Sequence, residues 1–139
     1  SFASSIVDTD IEFTSLITED LPSISVDSLK MRQALLNLLR NAHDACIAVT
    51  KPAITLSVSP DPQDSSMLCI TVTDNGCGIK PEDQTSVFEP FITHKADGTG
   101  LGLAVTRRII LAHHGTITLD STPGTGTTFS IALPIQENS

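Results

Sequence analysis

The 139-residue sequence has no tryptophan and no tyrosine, so any aromatic stacking falls to its five phenylalanines. Residues 1–75 contain no glycine, and all eight glycines lie from position 76 onward. Backbone that needs unusual dihedrals or close approach is therefore confined to the second half. No lysine or arginine precedes Lys30, while residues 1–29 hold six acids: Asp8, Asp10, Glu12, Glu19, Asp20 and Asp27. From residue 30 onward, ten acids face eight bases. A net charge of −8 without a basic stripe disfavours nucleic-acid binding, yet leaves room for a small-anion site in the nearly neutral remainder. The three cysteines, Cys46, Cys69 and Cys77, form no C-x-x-C pair. That argues against a disulfide framework or a zinc knuckle, and for a reducing, cytoplasmic compartment. No apolar run approaches the ~20 residues that cross a bilayer, and no signal peptide is present. Residue 1 is serine rather than methionine, which reads as an excised piece of a longer protein.

What is present is ordinary globular composition, 40% hydrophobic and 17% charged, in one domain of 14.7 kDa. Residues 11–17 alternate apolar and polar and predict a half-buried strand. Asp27 is placed to cap a helix over 28–49, a stretch without glycine or proline. At helical spacing, Met31, Ala34, Leu35, Leu38, Ala42, Ala45 and Val49 form one apolar stripe. Gln33, Asn37, Arg40, Asn41 and Asp44 fall on the opposite side. Strands are expected at 53–59 and 67–73, then a long loop over 79–99 with at most short helices. A second helix fits 100–114, with Gly115 as its C′ cap. Strands at 116–121 and 127–133 flank the turn Thr122-Pro-Gly-Thr-Gly126. The order β-α-β-β-loop-α-β-β predicts an α+β sandwich, a mixed sheet with helices on one face.

Three patterns carry chemistry. Asn37, Asn41 and Asp44, at i, i+4 and i+7, stack on one helix face, and amide oxygens are suitable hard ligands for Mg²⁺. Asp74-Asn75-Gly76-Cys77-Gly78 follows a strand whose apolar face continues onto Asp74. A carboxylate there needs a donor, and the exocyclic amine of a purine is one. Gly98-Thr99-Gly100-Leu101-Gly102-Leu103 marks a loop-to-helix transition, where free N–H groups and the helix dipole favour an anion. Each alone has an ordinary reading as a solvated helix face, a D-N-G turn or a flexible hinge.

The combination is more specific. In order the chain reads N-L-L-R-N-A, D-N-G-C-G-I, F-E-P-F, G-T-G-L-G-L and P-G-T-G-T-T-F. It resembles the catalytic, ATP-binding domain of bacterial sensor histidine kinases, in the superfamily shared with gyrase, heat-shock chaperone and mismatch-repair ATPases. The resemblance covers about residues 11–134 and is nearest to the nitrogen- and oxygen-sensing type. It implies a Bergerat-type two-layer sandwich with a mainly antiparallel sheet, binding ATP and Mg²⁺. It implies that Asn41 coordinates Mg²⁺ and that Asn37 supports phosphates and metal waters. Asp74 would accept the adenine N6 hydrogen bond, with Gly76, Gly78 and Ile79 beside the base. Phe88 and Phe91 would begin a mobile lid. Thr99, Leu101 and Leu103 fall in the motif whose Gly98, Gly100 and Gly102 would wrap the phosphates. Thr127 and Thr128 would edge the adenine pocket.

Departures from that pattern are informative. Hydrolytic members carry Glu at position 37 as general base, and Asn37 cannot take a proton. The family's Lys and aromatic are replaced by Asp44 and Ala45, so the cationic role falls to Arg40, to Lys95 or to neither. His94 replaces a common threonine, and His114-Gly115 replaces Gly-Gly. No phosphoacceptor histidine is evident, since His43, His113 and His114 lie within or at the end of predicted helices. The acceptor is expected on a dimerisation hairpin before residue 1, with a response-regulator receiver downstream. The isolated domain is expected to be a monomer without membrane contact and the parent a homodimer, with room for an anchor elsewhere. The alternatives are an anti-sigma-factor serine kinase and a nucleotide-binding module without transfer.

Overall fold

The alternation in Met67–Asp74 organises the molecule. In the computed structural model, which describes residues 11–21, 24–89 and 102–135, this strand is central in the sheet. Leu68, Ile70, Val72 and Asp74 face inward and are buried, while Cys69, Thr71 and Thr73 face outward, half-exposed. The elements run β1 (Glu12–Ile17), α1 (Ser28–Ala45), β2 (Ala53–Pro60), β3 (Met67–Asp74), α2 (Pro81–Gln84), α3 (Gly102–Ala112), β4 (Thr116–Thr122) and β5 (Gly126–Pro134). The sheet order is β1-β2-β3-β5-β4. β1 pairs parallel to β2, and every other pairing is antiparallel. This is the expected mixed, mainly antiparallel sheet. Of the inward residues of β3, Ile70 and Val72 form one core with Met31, Ala34, Leu38, Leu39 and Ala42 of α1 and with Ile109 and Ile110 of α3. No helix among the described residues is long and apolar enough to cross a membrane.

Asp27 caps α1 as its residue type predicts. Its Oδ1 accepts from Leu29 N–H at 3.1 Å and Lys30 N–H at 3.2 Å. The other end differs from the expected residue 49, because α1 stops at Ala45. The reason lies in a distant segment. The Ala45 carbonyl accepts the Cys77 N–H at 3.0 Å, while the Val49 N–H turns to the Cys46 carbonyl. Leu39 and Cys46 join the core, whereas Val49 sits half-exposed beyond the helix.

The cap of α3 also needs correction. His114, with φ +64°, takes the left-handed position assigned to Gly115. Gly115 N–H bonds to Ile110 O at 3.0 Å and His114 N–H to Leu111 O at 3.0 Å, the two bonds of a Schellman motif with His114 at C′ and Gly115 one further on. The neighbouring His113 joins the two long helices. Its Nε2 accepts the Asp27 backbone N–H at 2.9 Å, so Nδ1 carries the proton and donates to Ile109 O at 2.8 Å. Residues 100–101, assigned to this helix from the sequence, lie outside the described residues.

The two histidines should respond oppositely to substitution. His113→Ala removes two side-chain hydrogen bonds and should lower the unfolding free energy by about 1–3 kcal/mol. His114→Gly relieves a left-handed side chain and should raise it by roughly 0.5–1 kcal/mol. Urea unfolding of both variants checks this, and equal shifts of one sign would contradict the assignment.

Candidate nucleotide site

Asp74 ends β3 on its inward face and is only 5% exposed. Its Oδ1 accepts the Gly76 N–H at 2.8 Å, and the Thr127 backbone amide also donates to the carboxylate. Burial pushes its pKa above the ordinary carboxylate range, and these two amide bonds oppose that rise. The result is an inward acceptor whose partners are backbone amides, with no cation among the groups that shift it.

The segment after Asp74 threads between two elements. Cys77 N–H bonds to Ala45 O at the end of α1, and Gly124 N–H of the β4–β5 turn bonds to Cys77 O at 2.8 Å. Gly76 has no room for a side chain, since a Cβ would stand 2.5 Å from the Ala45 carbonyl oxygen. Gly78 has φ +74°, and a Cβ there would collide with the Thr122 carbonyl. Both glycines thus meet protein backbone, whatever else approaches them. Ile79 is half-buried against the core. Asn75, to which the sequence assigned no role, holds this crossing to β2. Its Oδ1 accepts from Ala53 N–H at 2.8 Å, and its Nδ2 donates to Lys51 O at 2.9 Å.

On α1, Asn37 and Asn41 are half-buried one turn apart, with Arg40 and Asp44 exposed beside them. Asn37 Nδ2 donates to Gly102 O at 3.2 Å, joining α1 to the first turn of α3. Leu103 packs against the core. Asp44 lies 3.6 Å from His43 Nδ1. Phe88 stacks edge-on to the buried Phe129, with centroids 6.1 Å apart. Phe91, Lys95, Gly98, Thr99, Gly100 and Leu101 lie outside the described residues, as does His94.

One expected pair separates. Thr127 stands opposite Asp74 in the β3–β5 register and is buried on the same face. Thr128 points to the other face, its Oγ1 3.1 Å from that of Thr73. Period-2 alternation forbids both threonines from edging one pocket, so Thr128 leaves the site. Sequence reasoning also missed Ser121, whose hydroxyl lies 2.7 Å from that of Thr127. Its place two strands from Asp74 leaves no local sequence signal.

Comparison with known proteins shows the family and the fold. Residues 26–137 match the family described as Histidine kinase-, DNA gyrase B-, and HSP90-like ATPase. The signal transduction histidine-protein kinase AtoS of Escherichia coli is 44% identical over 90% of this chain and 20% of its own length. The sensor histidine kinase ZraS of Salmonella typhimurium is 40% identical over 91% of this chain and 26% of its own. The mycobacterial sensor histidine kinase MprB superposes with a TM-score of 0.80 at 28% identity, covering 94% of this chain and 87% of that one. Full-length ShkA in complex with AMPPNP superposes at 0.79 with 30% identity, covering 93% of this chain and 26% of that one. The chain therefore belongs to the Histidine kinase-, DNA gyrase B-, and HSP90-like ATPase family and has the fold of histidine kinase catalytic domains, an ATP-binding fold. It spans about a fifth to a quarter of the length of these curated relatives.

A raised carboxylate pKa has a definite consequence for stability. The folded state holds the Asp74 proton more tightly than the unfolded chain does, so this group favours folding most at low pH. That contribution is lost as pH rises from the unfolded value through the raised folded one. The stability of wild type relative to Asp74→Asn should therefore fall across that window. Denaturant unfolding at a series of pH values measures it, and a difference that grows with pH would refute the burial argument.

Proposed function

We propose that this chain binds Mg-ATP and transfers the γ-phosphoryl group to a histidine on a separate dimerisation domain of its parent protein. The observation that carries the adenine half is the buried Asp74 carboxylate, an acceptor facing inward at the strand end. The observation that carries the transfer half is Asn37. Its side chain donates to Gly102 O and, being an amide, cannot take a proton from water. ATP attack by water is then unassisted, which suits a nucleophile brought by another domain.

The donor chemistry fits a magnesium ion held largely by phosphate and water. No group of three or more His, Cys, Asp or Glu among the described residues is arranged to hold a metal. Asn41 offers one hard amide oxygen, in keeping with the few protein ligands that Mg²⁺ takes. Bound there, the ion would screen charge on the phosphates. The chain's own contribution is positional. Asp74 and Thr127 orient the base, Asn37 braces the start of α3, and the phosphates extend from the base toward Asn41. In the transfer the bond from the γ-phosphorus to the β-bridging oxygen breaks, a bond to the acceptor imidazole nitrogen forms, and ADP leaves. A response-regulator receiver is the next acceptor, and the domain works on the cytoplasmic side.

Three measurements test this. Asp74→Asn should weaken ATP by about two orders of magnitude in calorimetry, since it removes a charge-assisted acceptor. Unchanged affinity would refute the adenine assignment. With labelled ATP and the parent's helical hairpin added as a separate protein, label should appear on its histidine, and none there would refute the kinase reading. The isolated chain should release only trace phosphate from ATP, so steady turnover would contradict the role given to Asn37.

A further inference from the structure

Ser121, near the end of β4, lies where three contacts cross. Its Oγ accepts the Ile79 backbone N–H at 2.8 Å, lies 3.1 Å from the Gly126 carbonyl oxygen and 2.7 Å from Thr127 Oγ1. A serine hydroxyl has one proton and two acceptor lone pairs. The Gly126 carbonyl can only accept, so it takes the Ser121 proton. The Ile79 amide can only donate, so it occupies one lone pair. All three contacts are then satisfied in one way: the Thr127 hydroxyl donates to the second lone pair. Gln84 secures this arrangement, its Nε2 donating to Ile79 O at 2.9 Å and to Ser121 O at 3.2 Å. With its proton committed to Ser121, Thr127 offers every other group lone pairs alone.

We infer that Ser121 is a positioning residue that holds Thr127 as a pure acceptor, so that Asp74 and Thr127 together select a 6-amino purine over a 6-oxo purine. This rests on the adenine reading of Asp74 and goes beyond it. The two residues are direct partners in the β3–β5 register and are buried on one face. Side chains so opposed have Cβ atoms about 4.5–5.5 Å apart. An exocyclic amine has two N–H bonds diverging by roughly 120°, so acceptors about 2.9 Å from its nitrogen stand roughly 5 Å apart. One amine hydrogen goes to each residue. A 6-oxo purine turns its own lone pairs toward both and finds no donor there.

The test is the ratio of ITP to ATP dissociation constants, measured by calorimetry on the whole chain. Wild type should prefer ATP. In Ser121→Ala the Thr127 hydroxyl is free to turn and donate to an oxo group, and the ratio should fall about five- to tenfold. Ser121→Thr keeps a hydroxyl and should keep the ratio. A purely structural role would weaken both nucleotides by the same factor, and an unchanged ratio in Ser121→Ala would overturn the inference while leaving the adenine reading standing. Wild type that binds neither nucleotide would overturn both. Should Ser121→Ala not fold, Thr127→Val serves: it removes the acceptor, and the ratio should again narrow, an unchanged one being fatal to the inference.

Discussion

The architecture around the nucleotide site depends on the two backbone hydrogen bonds of Cys77. Its N–H stops α1 at Ala45, and its carbonyl holds the β4–β5 turn through Gly124. The segment between them is squeezed so closely that Gly76 and Gly78 admit no side chain. One residue thereby sets the helix that carries Asn37 and Asn41, the strand end that carries Asp74, and the turn that leads into Thr127. Relative placement of these groups is a backbone property, which is why it survives without ion pairs among them.

The polar chemistry is correspondingly spare. Asp74 has backbone amides in place of a cation, and its burial raises the cost of the charged carboxylate. Ser121 and Gln84 contribute through the orientation of neighbours, the one by a hydroxyl and the other by a side-chain amide bonded to two carbonyls. Asn75 ties the same crossing to β2. The Asp74 carboxylate is thus held in a frame built from the hydrogen bonds of Asn75, Gln84 and Ser121.

Much of this was legible in the residues. Asp27 as a cap and the alternation of β3 are local consequences of residue type and spacing, and the structure follows them; of the apolar stripe of α1 it buries Met31, Ala34, Leu38 and Ala42, adds Leu39 and leaves Val49 beyond the helix. The end of α1 was not legible, because its cap comes from Cys77, beyond two intervening strands. His114 at a left-handed position departs from the glycine preference that guided the reading, since the hydrogen-bond pattern of the turn outweighs the cost of a side chain there. The misplacement of Thr128 was avoidable: alternation along 127–133 already sends adjacent residues to opposite faces. Ser121 was out of reach, as its partners lie on three separate segments.

α3 is tied to α1 at both of its own ends, by Gly102 to Asn37 in the middle of α1 and by His113 to Asp27 at the N-cap of α1. Phe88 is fixed independently by its contact with Phe129. Residues 90–101 therefore run between two points whose separation is set by the core. In polymer terms, the entropy of bringing the ends of that segment together is lost when the domain folds, before any ligand is present.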